Sequence, residues 1–115
     1  MKKILPLAIV TLFLTGCGGL IQTGSVSRAY ESYQGQDYQK TLEMISLAQK
    51  VNDMSPELSA ELNYLKAQTY EKLGMTEKSD NLYRYLGEQH KDTEYGYLAY
   101  QKISKIQTDA RRGKT

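Results

Sequence analysis

Enzymes need nucleophiles, bases or metal ligands, and this sequence supplies few of them. Its 115 residues include a single Cys, Cys17, and a single His, His90, with no Trp. One thiol cannot build a disulfide framework within the chain, and one Cys with one His falls short of a zinc ligand set. His90 lies in a polar stretch from Gly87 to Asp92, where it reads as an exposed residue closing a helix and not as a base. No Ser occupies a Gly-x-Ser-x-Gly turn and no Gly-rich loop joins a strand to a helix, so acyl transfer and nucleotide binding have no support. The carboxylates are spread along helix faces beside lysines: Glu57 and Glu61 precede Lys66, and Glu77 follows Lys72. That spacing suits solvated faces better than a catalytic carboxylate pair. The expectation is a protein that is not an enzyme, with no metal, no cofactor and no small-molecule substrate.

Cys17 still has one chemistry open to it. Lys2 and Lys3 precede an apolar run, Ile4–Leu14, of eleven residues. A bilayer-spanning helix needs about 20 apolar residues, so this run has the length of a signal-peptide core. It ends in Leu14-Thr15-Gly16-Cys17, which resembles a bacterial lipobox. The resemblance implies cleavage after Gly16, a diacylglycerol on the Cys17 thiol and acylation of the new amino group. Two or more acyl chains anchor a protein stably where one does not. Gly18 and Gly19 stand where an Asp would mark inner-membrane retention. The resemblance therefore implies an outer-membrane lipoprotein on the periplasmic face, with residues 1–16 removed and 17–24 a flexible tether.

The formal net charge of +2 changes meaning on this reading. Without Lys2 and Lys3 the remainder carries thirteen basic and thirteen acidic side chains. A neutral domain of this size is no nucleic-acid binder and has room for one small fold.

From Ser25 onward there is one Pro, Pro56, and the apolar spacing is helical throughout, which predicts an all-α domain over 25–108. Five antiparallel helices are expected. The first runs from about Ser25 and stops at Gly35. The second covers Tyr38 to Asn52, with Leu42, Ile45, Ala48 and Val51 inward. The third has Ser55 as N-cap, Pro56 as first residue and Gly74 as stop. Its two apolar stripes, Leu58-Leu62-Leu65-Thr69-Leu73 and Ala60-Tyr64-Ala67, mark a helix packed on two sides. The fourth, capped by Thr76, ends at His90 and turns Ser79, Leu82, Tyr83 and Leu86 inward. The fifth starts after Asp92 or Thr93, and residues 109–115 read as a frayed basic tail.

Between Glu61 and Asp92 the chain resembles a tetratricopeptide repeat: small Ala67 with Tyr70, a Leu73-Gly74 helix end, then small Ser79 with Tyr83. Ala29, Tyr38, Thr41, Ile45 and Ala48 form a weaker copy 38 residues upstream. Tyr95-x-x-Leu98-Ala99 restarts the pattern downstream. Asn63, Leu86 and Lys91 depart from it. The resemblance implies about two and a half helical hairpins, an architecture shared with envelope lipoproteins of β-barrel assembly and type IV pilus systems.

Tyrosine is the one compositional excess. All ten lie beyond Cys17, and the residue suits recognition because it offers a large, rigid, half-polar surface. Tyr70 and Tyr83 are expected between helices, and at least one of Tyr95, Tyr97 and Tyr100 exposed. In tetratricopeptide proteins ligands lie on the first helices of the hairpins. By that resemblance Tyr30, Tyr33, Tyr64, Gln68, Glu71 and Lys72 would line a concave, partner-binding side. The expected role is a lipid-anchored module for a protein or peptide partner, in a pilus, secretin or β-barrel assembly system. The alternative is a small structural, exclusion or immunity-type envelope lipoprotein without a groove. Replacing Cys17 by Ser should abolish palmitate labelling and release the protein from membranes. Continued fractionation with outer membrane would remove the anchor.

Overall fold

The computed structural model describes residues 17–51 and 53–113. The expected signal peptide lies outside the described residues. Among these residues five helices follow one another: α1 Cys17–Gln34, α2 Tyr38–Gln49, α3 Pro56–Lys72, α4 Thr76–Gln89 and α5 Glu94–Arg112. No strand occurs among the described residues, and the fold is all-α.

Short connections make each helix antiparallel to the next, so α1, α3 and α5 point one way and α2 and α4 the other. Helix α3 is central, packing against α2, α4 and α5. Its two stripes serve two separate cores. Leu62 and Leu65 join Ala29 of α1 and Ile45 and Ala48 of α2. Ala60 and Ala67 join Tyr83 and Leu86 of α4 and Ala99 of α5. Ala29, Ala67 and Ala99 are all fully buried, one on each parallel helix.

The turns show why the helices end where they do. At the end of α3 the Gly74 N–H bonds the Glu71 carbonyl and the Met75 N–H bonds that of Tyr70. Gly74 has a φ of 75°, which completes a Schellman cap. The end of α1 repeats this geometry 38 residues earlier, with Gln36 N–H on Tyr33 and Asp37 N–H on Ser32. Here the left-handed residue is Gln36, with a φ of 63°, and not the Gly35 expected to stop the helix. Thr41 and Ser79, again 38 residues apart, are both fully buried just beyond these turns. The Ser79 hydroxyl donates to the Ala67 carbonyl at 3.0 Å and ties α4 to α3. The first two hairpins are therefore built to one plan.

Several boundaries differ from expectation. The backbone of residues 18–24, expected as a flexible tether, is helical as part of α1. Helix α2 stops at Gln49, short of Asn52, where the Lys50 and Val51 amides tighten onto Leu47 and Ala48. The N-cap of α4 is Met75, without a side-chain bond, and Thr76 is already helical. The tail is absorbed into α5 as far as Arg112, with Arg111 and Arg112 complementing the helix C-terminus. Ser55 caps α3 as expected, accepting from the Leu58 N–H at 3.1 Å.

The α4–α5 corner is the tightest. Thr93 donates to the His90 carbonyl at 2.6 Å and accepts from the Gly96 N–H at 3.1 Å. A Cβ on Gly96 would overlap the His90 carbonyl, and one on Gly87 would lie 3.0 Å from the Tyr100 Cα. Gly96 is thus required by close approach, while at Gly87 a methyl group would need α5 to give by a few tenths of an ångström.

A left-handed Gln costs about 1 kcal/mol relative to Gly, partly offset by the extra freedom Gly has when unfolded. Gln36→Gly should stabilise the protein by about 0.5 kcal/mol in urea unfolding. A loss of stability would show that the Gln36 side chain contributes contacts.

Candidate functional site

Helices α1, α3 and α5 point in the same direction and together form one face of the domain. From α3, Glu61, Tyr64, Gln68, Glu71 and Lys72 lie toward it, as their spacing of three and four residues requires. Helix α1 contributes Tyr30 and Tyr33, and helix α5 contributes Tyr95 and Lys102.

Carboxylates and phenols organise this face. The Tyr30 hydroxyl donates to Glu61 Oε1 at 2.7 Å, bridging α1 and α3. The Tyr83 hydroxyl, reaching from α4, donates to Glu71 Oε1. Glu71 Oε2 lies 3.3 Å from Lys102 Nζ, and that ammonium sits 5.7 Å from the Tyr83 ring centroid. Both partners of the ion pair are more than a third exposed, so its net worth is below about 1 kcal/mol. Its value is in fixing the Glu71 carboxylate. Tyr64 is the hub of the rings, tilted against Tyr95 at 5.4 Å and edge-on to Tyr83 at 5.5 Å. Tyr33 meets Tyr38 edge-on at 5.6 Å. Such arrangements match the quadrupoles of the rings.

Of the six residues expected to line a partner-binding side, four share one depression. Tyr33, Gln68, Glu71 and Lys72, together with Lys102, line a cavity of about 350 Å³. Tyr30 and Tyr64 are placed differently. Tyr30 is half-buried and bonded to Glu61, and Tyr64 packs against the second core. Sequence reasoning missed Lys102, which stands where a repeat would carry Tyr. Its helical register relative to Ala99 was the available signal.

The freely exposed tyrosines lie elsewhere. Tyr97 and Tyr100 on α5 are 55% and 57% exposed, and Tyr85 on α4 is 48% exposed. Tyr83 is fully buried as expected, whereas Tyr70 is half-buried with Lys78 over its ring. His90 closes α4 as its C-cap, with Nε2 3.3 Å from the Tyr85 hydroxyl. Glu61, expected to match Lys66, is instead turned to Tyr30. Among the described residues no cluster of His, Cys, Asp or Glu could hold a metal ion.

Burial raises the Tyr30 and Tyr83 hydroxyls well above the usual tyrosine range, and the hydrogen bonds to Glu61 and Glu71 add to this, since a phenolate beside a carboxylate is repelled. Tyr33 and Tyr95 are raised as well, mainly by burial. In the unfolded chain these groups ionise near pH 10, while in the folded chain they keep their protons. The stability they contribute is complete below pH 10 and is lost as pH rises above it. Tyr83→Phe should flatten the decline in unfolding free energy above pH 10. An unchanged slope would place the linkage in other groups.

No protein-family model, curated protein or solved structure matches this chain.

Proposed function

We propose that the protein is a lipid-anchored, periplasmic protein-interaction module, attached to the outer membrane through acylated Cys17 and acting by binding, not catalysis. Its setting is an envelope assembly or secretion system of the pilus, secretin or β-barrel type, where it serves as an accessory subunit. The observation that carries the reading is the depression between α1, α3 and α5, in which Tyr33, Gln68, Glu71 and Lys72 converge with Lys102. A cavity of about 350 Å³ with aromatic, amide and charged walls suits a few side chains of a peptide. The Lys102–Glu71 pair and the Tyr83–Glu71 hydrogen bond hold its charged groups in place before a partner arrives, which lowers the ordering cost of binding. The lipobox-like LTGC segment supports the anchor, and no described helix is long and apolar enough to cross a membrane.

A second reading has its own observation. Tyr30, Tyr83, Glu61 and Glu71 satisfy one another, as they would in a purely structural lipoprotein whose tyrosines only complete the core. The two readings part at position 72, which lines the depression without joining that network.

A photo-crosslinking amino acid at position 72, in cells making the full-length protein, should trap a component of an envelope assembly or secretion system. Tyr33→Ala should reduce the adduct several-fold while leaving the thermal midpoint within a few degrees. An absence of adducts at both position 72 and position 68, with the protein normally anchored, would favour the structural reading.

A further inference from the structure

The opposite face of α3 carries a groove of different character. At about 100° per residue, Glu57, Glu61 and Glu71 leave α3 on the tyrosine-rich face, while Ser59, Asn63, Lys66 and Tyr70 leave it on the other. By the same geometry α4 turns Lys78, Asn81, Leu82 and Tyr85 toward α3, and Glu77, Asp80 and Glu88 toward α5. No carboxylate of the two helices is directed to this side of their seam; Glu71, which bonds Tyr83 of α4, does so on the tyrosine-rich side. Lys66, Tyr70, Lys78, Asn81, Leu82 and Tyr85 line a depression there of about 360 Å³, with two ammonium groups and no acid among them.

Among the described residues neither cation has an ion-pair partner. Lys78 Nζ lies 5.7 Å from the Tyr70 ring centroid, a π-face contact that leaves its charge available to an anion. Lys66 has no acid three or four residues away on its own helix, where Leu62, Asn63, Thr69 and Tyr70 stand. Tyr85 is held edge-on by His90 at 5.5 Å and remains 48% exposed, while half-buried Leu82 gives the groove an apolar floor.

We propose that this α3–α4 groove is a second docking surface, taking a short acidic segment of a protein partner. Carboxylates lie over Lys66 and Lys78, Asn81 supplies an amide for the backbone, and an apolar side chain settles between Tyr70 and Tyr85 above Leu82. Lys78 to Tyr85 spans two helical turns, about 10 Å, which matches three or four extended residues. Anionic lipid headgroups share the charge but not the position. The groove adjoins the α3–α4 turn, at the end of the domain opposite Cys17.

The test titrates acetyl-Asp-Glu-Leu-Glu-Asp-amide into the ¹⁵N-labelled full chain in neutral detergent, beside its Asn/Gln counterpart. Saturable shifts at Tyr70, Lys78 and the Asn81 side-chain amide are expected from the acidic peptide alone, weakening as salt rises. Lys66→Gln/Lys78→Gln should weaken binding about tenfold or more, with the remaining spectrum unmoved. Equal binding of the neutral peptide, no saturable shift, or shifts centred on Tyr33 and Gln68 would overturn the proposal. So would Lys66- and Lys78-dependent binding to phosphatidylglycerol vesicles without a peptide response. The outcome is independent of the α1–α3–α5 depression, which is tested by crosslinking at position 72.

Discussion

Helix α3 has to be buried on two sides at once, and the remaining helices take their places from that requirement. Seventeen residues carry two apolar stripes, and each is covered by two other helices. The α1–α2 hairpin covers Leu62 and Leu65, and α4 with α5 covers Ala60 and Ala67. Because the two cores flank α3, its remaining sides are left to solvent, one beside α1 and α5 and one beside α2 and α4. A helix with a single apolar stripe would leave one broad polar face. Two stripes divide the polar residues into two strips, and the charges sort between them, with all three α3 carboxylates on one and Lys66 on the other.

The sequence made the helices legible through local chemistry and left the distances hidden. Ser55 and Thr93 mark helix starts because their hydroxyls accept from unpaired backbone N–H groups, and Pro56 because it has no N–H to leave unpaired. Gly74 marks an end because its left-handed φ favours glycine. Gln36 escaped notice since it does the same work with a side chain that tolerates the conformation less well, beside a glycine that draws attention. The extents of α1 and α5 were missed for a related reason: polar and glycine-containing turns extend helices whose packed portions have already met the cost of nucleation. The gathering of Tyr33, Gln68, Glu71 and Lys72 was readable from repeat register. The entry of Lys102 depended on how closely α5 approaches α3, which a single chain does not reveal.

The tyrosines divide by what their hydroxyls reach. Tyr30 and Tyr83 each find a carboxylate and are held within the fold. Tyr97 meets Gln101, on its own helix, and stays at the surface. An aromatic ring with a polar tip can thus fill a small core without leaving an unpaired group inside. A Phe at position 30 or 83 would fill the same space and leave a carboxylate without its hydroxyl partner.

Five is an odd number of antiparallel helices, and oddness has a mechanical consequence. The start of α1 and the end of α5 lie at opposite ends of the domain, so a pull between them runs along the helix axes. Such a load slides the two cores in shear, straining many side-chain contacts together. An even number would bring both ends to one side, where the outer helices could peel away one turn at a time. A domain loaded in shear transmits tension before it yields, and Ser79, bonded across to the Ala67 carbonyl, is one of the cross-links that would carry it.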